Sequence, residues 1–134
     1  MSGETNLKRL IATMNPILNE GDYVFVSLNN LNEIKRSDTL FEFKEKEGIT
    51  MVLEKDKADR LKLKYEFVTS WITLEVHSSL EAVGLTAAFS SALANEKISC
   101  NVVAGYFHDH IFVAVNDAMK AIQVLTALSK NKRS

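Results

Sequence analysis

The sequence predicts an α+β fold of ferredoxin-like type: two fused, half-complete βαββαβ units, each an antiparallel sheet with helices on one face. Three observations carry that expectation. The second half of the chain reads strand, helix, strand, strand, helix, which is the cycle without its last strand. The first half reads helix, strand, strand, helix, strand, the same cycle without its opening strand. With 134 residues, 46% of them hydrophobic, five Gly and one Pro, the chain has the apolar content for packed layers and too few loop formers for a low-complexity tail. Two incomplete units imply that each sheet takes a strand from the other, within the chain or across a dimer. The units are expected at residues 1–69 and 70–134.

Leu7, Leu10, Ile11 and Met14 recur at helical spacing, and Asn15, held out of the helical region by Pro16, ends that helix. Glu20-Gly21-Asp22 turns the chain into Tyr23 to Leu28, a run of strand formers suited to cover on both faces. Phe41 to Lys46 alternates, Gly48 interrupts it, and Ile49, Met51 and Leu53 share one face, so the pair forms a hairpin. Lys55 to Leu63 has helical composition, and Leu63 to Val68 reads as a short strand. Trp71 to His77 alternates an aliphatic face (Ile72, Leu74, Val76) with a face that carries chemistry (Trp71, Thr73, Glu75, His77). Leu85, Phe89, Ala92 and Leu93 form the stripe of a helix rich in small residues. Ile98 to Ala104 and His110 to Val115 are strands joined by the turn Gly105-Tyr106-Phe107. Asp117 can cap a last helix whose inner face is Ala118, Ile122, Leu125 and Leu128, and KNKRS reads as a frayed basic tail.

Sixteen basic and 17 acidic residues leave a net charge of -1, which points to neither nucleic acid nor a membrane surface as partner. The distribution is uneven. Glu33 to Glu66 holds nine acidic and nine basic side chains, whereas Ser70 to Val115 holds only Glu75, Glu81, Glu96, Lys97 and Asp109. Charged groups are seldom buried, so the first stretch is expected at the solvated surface and the second largely covered. The N-terminus lacks the apolar run of a signal peptide, and no segment approaches the 18 or so apolar residues of a membrane span, so a cytoplasmic location is expected. The single Cys forms no internal disulfide. Cys100 alternates onto the helix-facing side as an inert thiol, and Trp71 reads as packing between the halves.

All three histidines fall in the charge-poor half. In a ferredoxin-like sheet the end of strand one lies beside the start of strand three. His77 therefore meets His108 and His110 at one end of the sheet, on the face opposite Ile111 and Val113, together with Glu75. His77, His108 and His110 with Glu75 have the donor chemistry of a metal site, but Asp109 points to the other face. That orientation also opposes a Ser-His-Asp arrangement with Ser78 or Ser79, and no G-x-S-x-G elbow exists. Hydrogen-bonded structural histidines are the plain alternative. The loop Ser78 to Val83 opens directly into a helix, whose free N–H groups receive a carboxylate or phosphate. Ser78-x-x-Glu81 is also readable as a capping box, but Gly84, costly inside a helix, favours an entry near itself.

The segment TLEVHSSLEAVGLTAAFSSALANEKISCNVVAGYFHDHIFVAV resembles an ACT domain: Val83-Gly84-Leu85 stands where that superfamily usually has Pro-Gly-Leu, and Glu81 where it often has an acidic residue. Together with YVFVSL and EKEGITMVLEK, the stretch from Leu7 to Leu128 is similar to a small bacterial family of ACT-domain proteins of unknown function, related to the tandem-ACT proteins that sense arginine in animal cells. The resemblance implies a non-enzymatic regulatory module, without cofactor, that binds a small molecule, with an amino acid as the expected class, and pairs as a homodimer. It implies ligand contacts from Ser78, Ser79, Leu80, Glu81, Ala82, Val83 and Gly84 and, across the sheet, Asn101 and Gly105. His77, His108 and His110 join that candidate set by position. A metal-binding protein using the three histidines, and a structural interaction domain whose sheet face docks a partner, are the alternatives.

Overall fold

The computed structural model describes residues 6–32, 34–76 and 84–133. Helix α1 (Leu7–Thr13) starts at Asn6, whose side chain accepts from the Arg9 N–H at 3.1 Å. It ends at Met14, two residues before Pro16. There follow β1 (Asn15–Leu18), β2 (Tyr23–Leu28), β3 (Phe41–Lys44), β4 (Ile49–Glu54), α2 (Lys55–Arg60), β5 (Val68–Glu75), α3 (Leu85–Asn95), β6 (Cys100–Ala104), β7 (Asp109–Ala114) and α4 (Ala118–Arg133).

One sheet takes in all seven strands, in the order β3-β4-β2-β5-β7-β6, with β1 on the same side of β5 as β2. Every pairing is antiparallel. β6-β7-β5-β1 is a complete ferredoxin-like set whose fourth strand is β1, and β3-β4-β2-β5 is a second set whose fourth strand is the start of β5. The borrowed strands are thus supplied within the chain. The change of partner from β2 to β1 lies inside β5, which both sets share: Val68 and Thr69 pair with Val24 and Tyr23, and Ile72 to Glu75 pair with Leu18 to Asn15.

Several expectations are corrected. The first helix does not serve the first unit: Leu10, Ile11 and Met14 are buried in one cluster with Leu85, Phe89 and Leu93 of α3, Ala121 and Leu125 of α4, and Ile72, Leu74, Ile111 and Val113 of the sheet. β1 was not foreseen, because its four residues include Pro16, which strands tolerate at an edge such as this one. Among the described residues the β2–β3 connection holds the 3-10 turn Arg36–Asp38 and no α-helix. Residues 63–67 are unpaired, so the expected short strand begins only at Val68, and α4 runs to Arg133 where a frayed tail was expected.

All four helices lie on one face of the sheet. Ala58 of α2 packs on Val24, Val26, Met51 and Leu53, and the other three helices cover the β5-β7 end. The opposite face is concave. The Phe41 and Phe112 rings sit 5.9 Å apart although their strands are four steps apart in the sheet. A flat sheet would separate them by about 19 Å at ~4.8 Å per step. The curl brings the helix-free faces of the two units together around Tyr23, Val52 and Phe112, all buried, with Phe25, Phe41 and Trp71 against them.

Candidate ligand-binding site

His110 lies on β7 opposite Thr73 of β5, on the concave face with Trp71 and Phe112. Trp71 Nε1 donates to His110 Nδ1 at 3.0 Å, and Thr73 Oγ1 is 3.2 Å from the same nitrogen. An indole N–H only donates, so Nδ1 accepts and the ring is a neutral imidazole with its proton on Nε2. Burial pushes the His110 pKa below its ordinary 6.5, nearby His108 acts in the same sense, and Asp109 opposes both. Asn19, in the turn between β1 and β2, donates to Thr73 Oγ1 at 2.9 Å and to the Trp71 carbonyl at 3.2 Å. Trp71 also meets the edge of Tyr23 at 5.4 Å. The sequence placed Trp71 as packing between the halves; it is that, and also what fixes the His110 tautomer.

Gly105 lets the β6-β7 turn close tightly. Its N–H donates to the His108 carbonyl at 2.9 Å, and a Cβ at this position would lie 2.9 Å from that oxygen and 3.3 Å from His110 Nε2. His108 directly precedes β7. Asp109 pairs with Leu74, so one step along that register His108 is level with Glu75, near the last described residue before the loop. The His108 Nδ1 is buried and has no hydrogen-bond partner. Asp109 lies toward the helix side of the strand, as expected, and burial raises its pKa above 3.8 against the pull of His110 and His108.

Gly84 has φ +94° and stands just before α3, where no described side chain caps the helix. The helix thus enters where Gly84 suggested. A Cβ on Gly84 would meet Leu7 Cδ2 at 3.1 Å, so α1 packs against the helix entry. His77, Ser78, Ser79, Leu80, Glu81, Ala82 and Val83 lie outside the described residues. Cys100 faces the helix-side cluster, half-buried, and burial pushes its thiol pKa up.

Two of the clefts on the concave face hold residues of the candidate set. The narrower, about 190 Å³, is lined by Leu40, Phe41, Trp71, Val103, Gly105, His110 and Phe112. The wider, about 580 Å³, holds Asn101 with Phe25, Phe67, Thr69, Ser99 and Asp117 among others. Gly105 and His110 therefore share a cleft and Asn101 borders a different one. Leu40 and Phe41 were missed as site residues because the curl that brings β3 toward β6 leaves no mark in local periodicity. Among the described residues no three His, Cys, Asp or Glu side chains form a metal-binding group, and no helix is long and apolar enough to cross a membrane.

Residues 2–70 and 66–127 each match a family model described as an ACT domain. The chain belongs to the ACT-domain family. The two matched ACT segments overlap at the start of β5, the strand their sheets share. A Vibrio cholerae protein of unknown function, described as a possible transport protein, is 46% identical, covers 96% of this chain and 99% of its own, and superposes with a TM-score of 0.81. A protein from Agobacterium tumefaciens is 17% identical over 87% of this chain and 89% of its own, with a TM-score of 0.70. The regulatory subunit of Thermus thermophilus aspartate kinase shares the fold at 8% identity, a TM-score of 0.60, and coverage of 87% and 97%. No curated protein matches the chain. ACT domains are typically regulatory modules that bind small molecules, and this tandem pair has their ferredoxin-like architecture.

Proposed function

We propose that the protein is a non-enzymatic ACT regulatory module that binds an amino acid in its C-terminal unit (70–134), beside the loop from His77 to Gly84. The observation that carries this reading is the orphaned His108 Nδ1, because an unpartnered buried polar atom costs about 1–3 kcal/mol unless something meets it. A ligand ammonium or carboxylate satisfies it in one tautomer or the other. The N–H groups of the first turn of α3, an 11-residue helix that no described side chain caps, are the natural receivers of a carboxylate. Ser78, Ser79, Leu80, Glu81, Ala82 and Val83 supply the intervening backbone in this reading, with His108 at its sheet end, whereas His110, Gly105 and Asn101 line the clefts of the concave face and stand outside it.

The test is a thermal-shift screen of the standard amino acids. A ligand at one hundred times its Kd adds about 2.7 kcal/mol of stability. At ~2.1 cal/mol/K per residue, that raises the Tm by about 10 °C for a chain of this length. His108→Leu should abolish the shift while keeping the melt cooperative. A screen in which no amino acid moves the Tm overturns the reading. The reading also includes a cytoplasmic homodimer. Its route is the unpaired edge of β6, where Val102 is exposed, and light scattering on the eluted protein should give twice the chain mass.

A further inference from the structure

We propose that the narrow cleft inside the curled sheet is a second binding site, for an uncharged small molecule with an aromatic body and one hydrogen-bond acceptor. Its walls are Phe41, Trp71, Phe112 and Val103, and its one polar side chain is His110. At about 190 Å³ it is larger than the ~150 Å³ apolar cavity that holds one benzene. Phe41 and Phe112 lie at a tilt of 56°, leaving ring edges and faces available to an inserted ring.

The chemistry of the occupant follows from what the walls offer. None of the lining residues is charged apart from a protonated His110, and Trp71 already commits His110 to the neutral form by donating to Nδ1. A carboxylate or ammonium would enter without a counter-charge and lose its hydration, which is strongly unfavourable. The zwitterion of an amino acid therefore does not fit this cleft, which separates it from the site beside the loop. The remaining ring proton is on Nε2, facing the position where Gly105 has no side chain: a Cβ there would stand 3.3 Å from that nitrogen. The hydrogen bonds of His110 to the described residues all use Nδ1, so Nε2–H is left for an occupant, and an ether, hydroxyl or carbonyl oxygen is the partner it suits.

The chain has a single Trp, and it is a wall of the cleft, so its emission reports occupancy directly. Titration of the whole protein with benzyl alcohol should give a saturable change in Trp71 emission. Toluene, which lacks the acceptor, should bind at least three-fold more weakly, and benzoate should produce no saturable change. Val103→Phe and, separately, Leu40→Phe narrow the cleft and should each weaken benzyl alcohol at least ten-fold while the thermal melt stays cooperative. The proposal is overturned if the benzyl alcohol response does not saturate, if benzoate binds as well, or if neither filling substitution weakens it, which would place the probe in the wider cleft beside Phe67. The amino-acid screen is read by Tm with a different ligand set, so either reading can fail without the other.

Discussion

The assignment of α1 to the second unit is tested by Leu10→Ala. Leu10 is fully buried, although it belongs to the first helix of the chain and its cluster is built from α3, α4 and the β5-β7 end of the sheet. Truncating a fully buried Leu costs about 2–5 kcal/mol, with the higher values where the surroundings cannot collapse. Leu10 is held between helices and strand side chains that are themselves buried, so the cost should fall in the upper half of that range. At ~2.1 cal/mol/K per residue the unfolding entropy of 134 residues is about 0.28 kcal/mol/K. The Tm should therefore drop by roughly 12–18 °C in a calorimetric scan. Leu18→Ala, four residues beyond Met14 on β1 and 41% exposed, is the control and should move it by less than about 4 °C. A cycle combining Leu10→Ala with Leu125→Ala, both in the same cluster, should show a coupling of about 0.5–3 kcal/mol. If Leu10→Ala lowers the Tm no more than the control does, α1 is not part of the second unit's core and the strand-sharing architecture is wrong.

A fragment comprising residues 66–134 should give no cooperative melt, because it lacks β1 and the buried Leu10, Ile11 and Met14; a peptide of residues 6–22 added in trans should restore one, and cooperative folding of the fragment alone would contradict this. Gly84→Ala should destabilise by about 1–2 kcal/mol, since φ +94° disfavours a side chain and the new methyl presses on Leu7; Leu7→Ala in the same chain should recover only the second part. Asp109 and His110 work in opposite senses with pH. The Asp109 pKa is raised in the fold, so its contribution is present below about 3.8 and lost as pH rises through the folded value, whereas the lowered His110 pKa costs stability as pH falls below 6.5. Asp109→Asn should accordingly raise the Tm at pH 7 and lose that gain near pH 3.5, and an equal gain at both pH values would refute the assignment.

The second half was legible because its elements alternate or repeat cleanly. Ile72, Leu74 and Val76 face the helices and Trp71 and Thr73 face the concave side, as a period of two dictates. The first half misled where short elements derive their stability from distant partners. Asn15 to Leu18 has no pattern of its own and is a strand only because Glu75 to Ile72 offers an unpaired edge. Leu7 to Met14 has a clear helical stripe, but a stripe does not say which sheet it covers. His108 and His110 were placed at the start of strand three by topology alone, and that placement holds. The cleft beside His110 was not legible, since it depends on a curl that sums small twists over five strands.

The sharing of β5 also constrains how a bound ligand could act. β5 is held at its start by Tyr23 and Val24, along its length by β7, and at its end by β1, with Ile72 and Leu74 fully buried. A slip of one residue would turn both side chains to the concave face and bring Trp71 and Thr73 under the helices. Close-packed interiors do not deform by degrees. Strand sliding is therefore closed to this protein as a response. What remains free to respond is the packing of Leu7 of α1 against Gly84 at the entry of α3. A ligand meeting His108 and the entry of α3 would act first on this contact. The first and last helices pack on each other, with Ser129 of α4 donating to the Ala12 carbonyl at 3.0 Å. A shift of α1 would thus reach α4, and the outer surfaces of these two helices are where a change of state would be read.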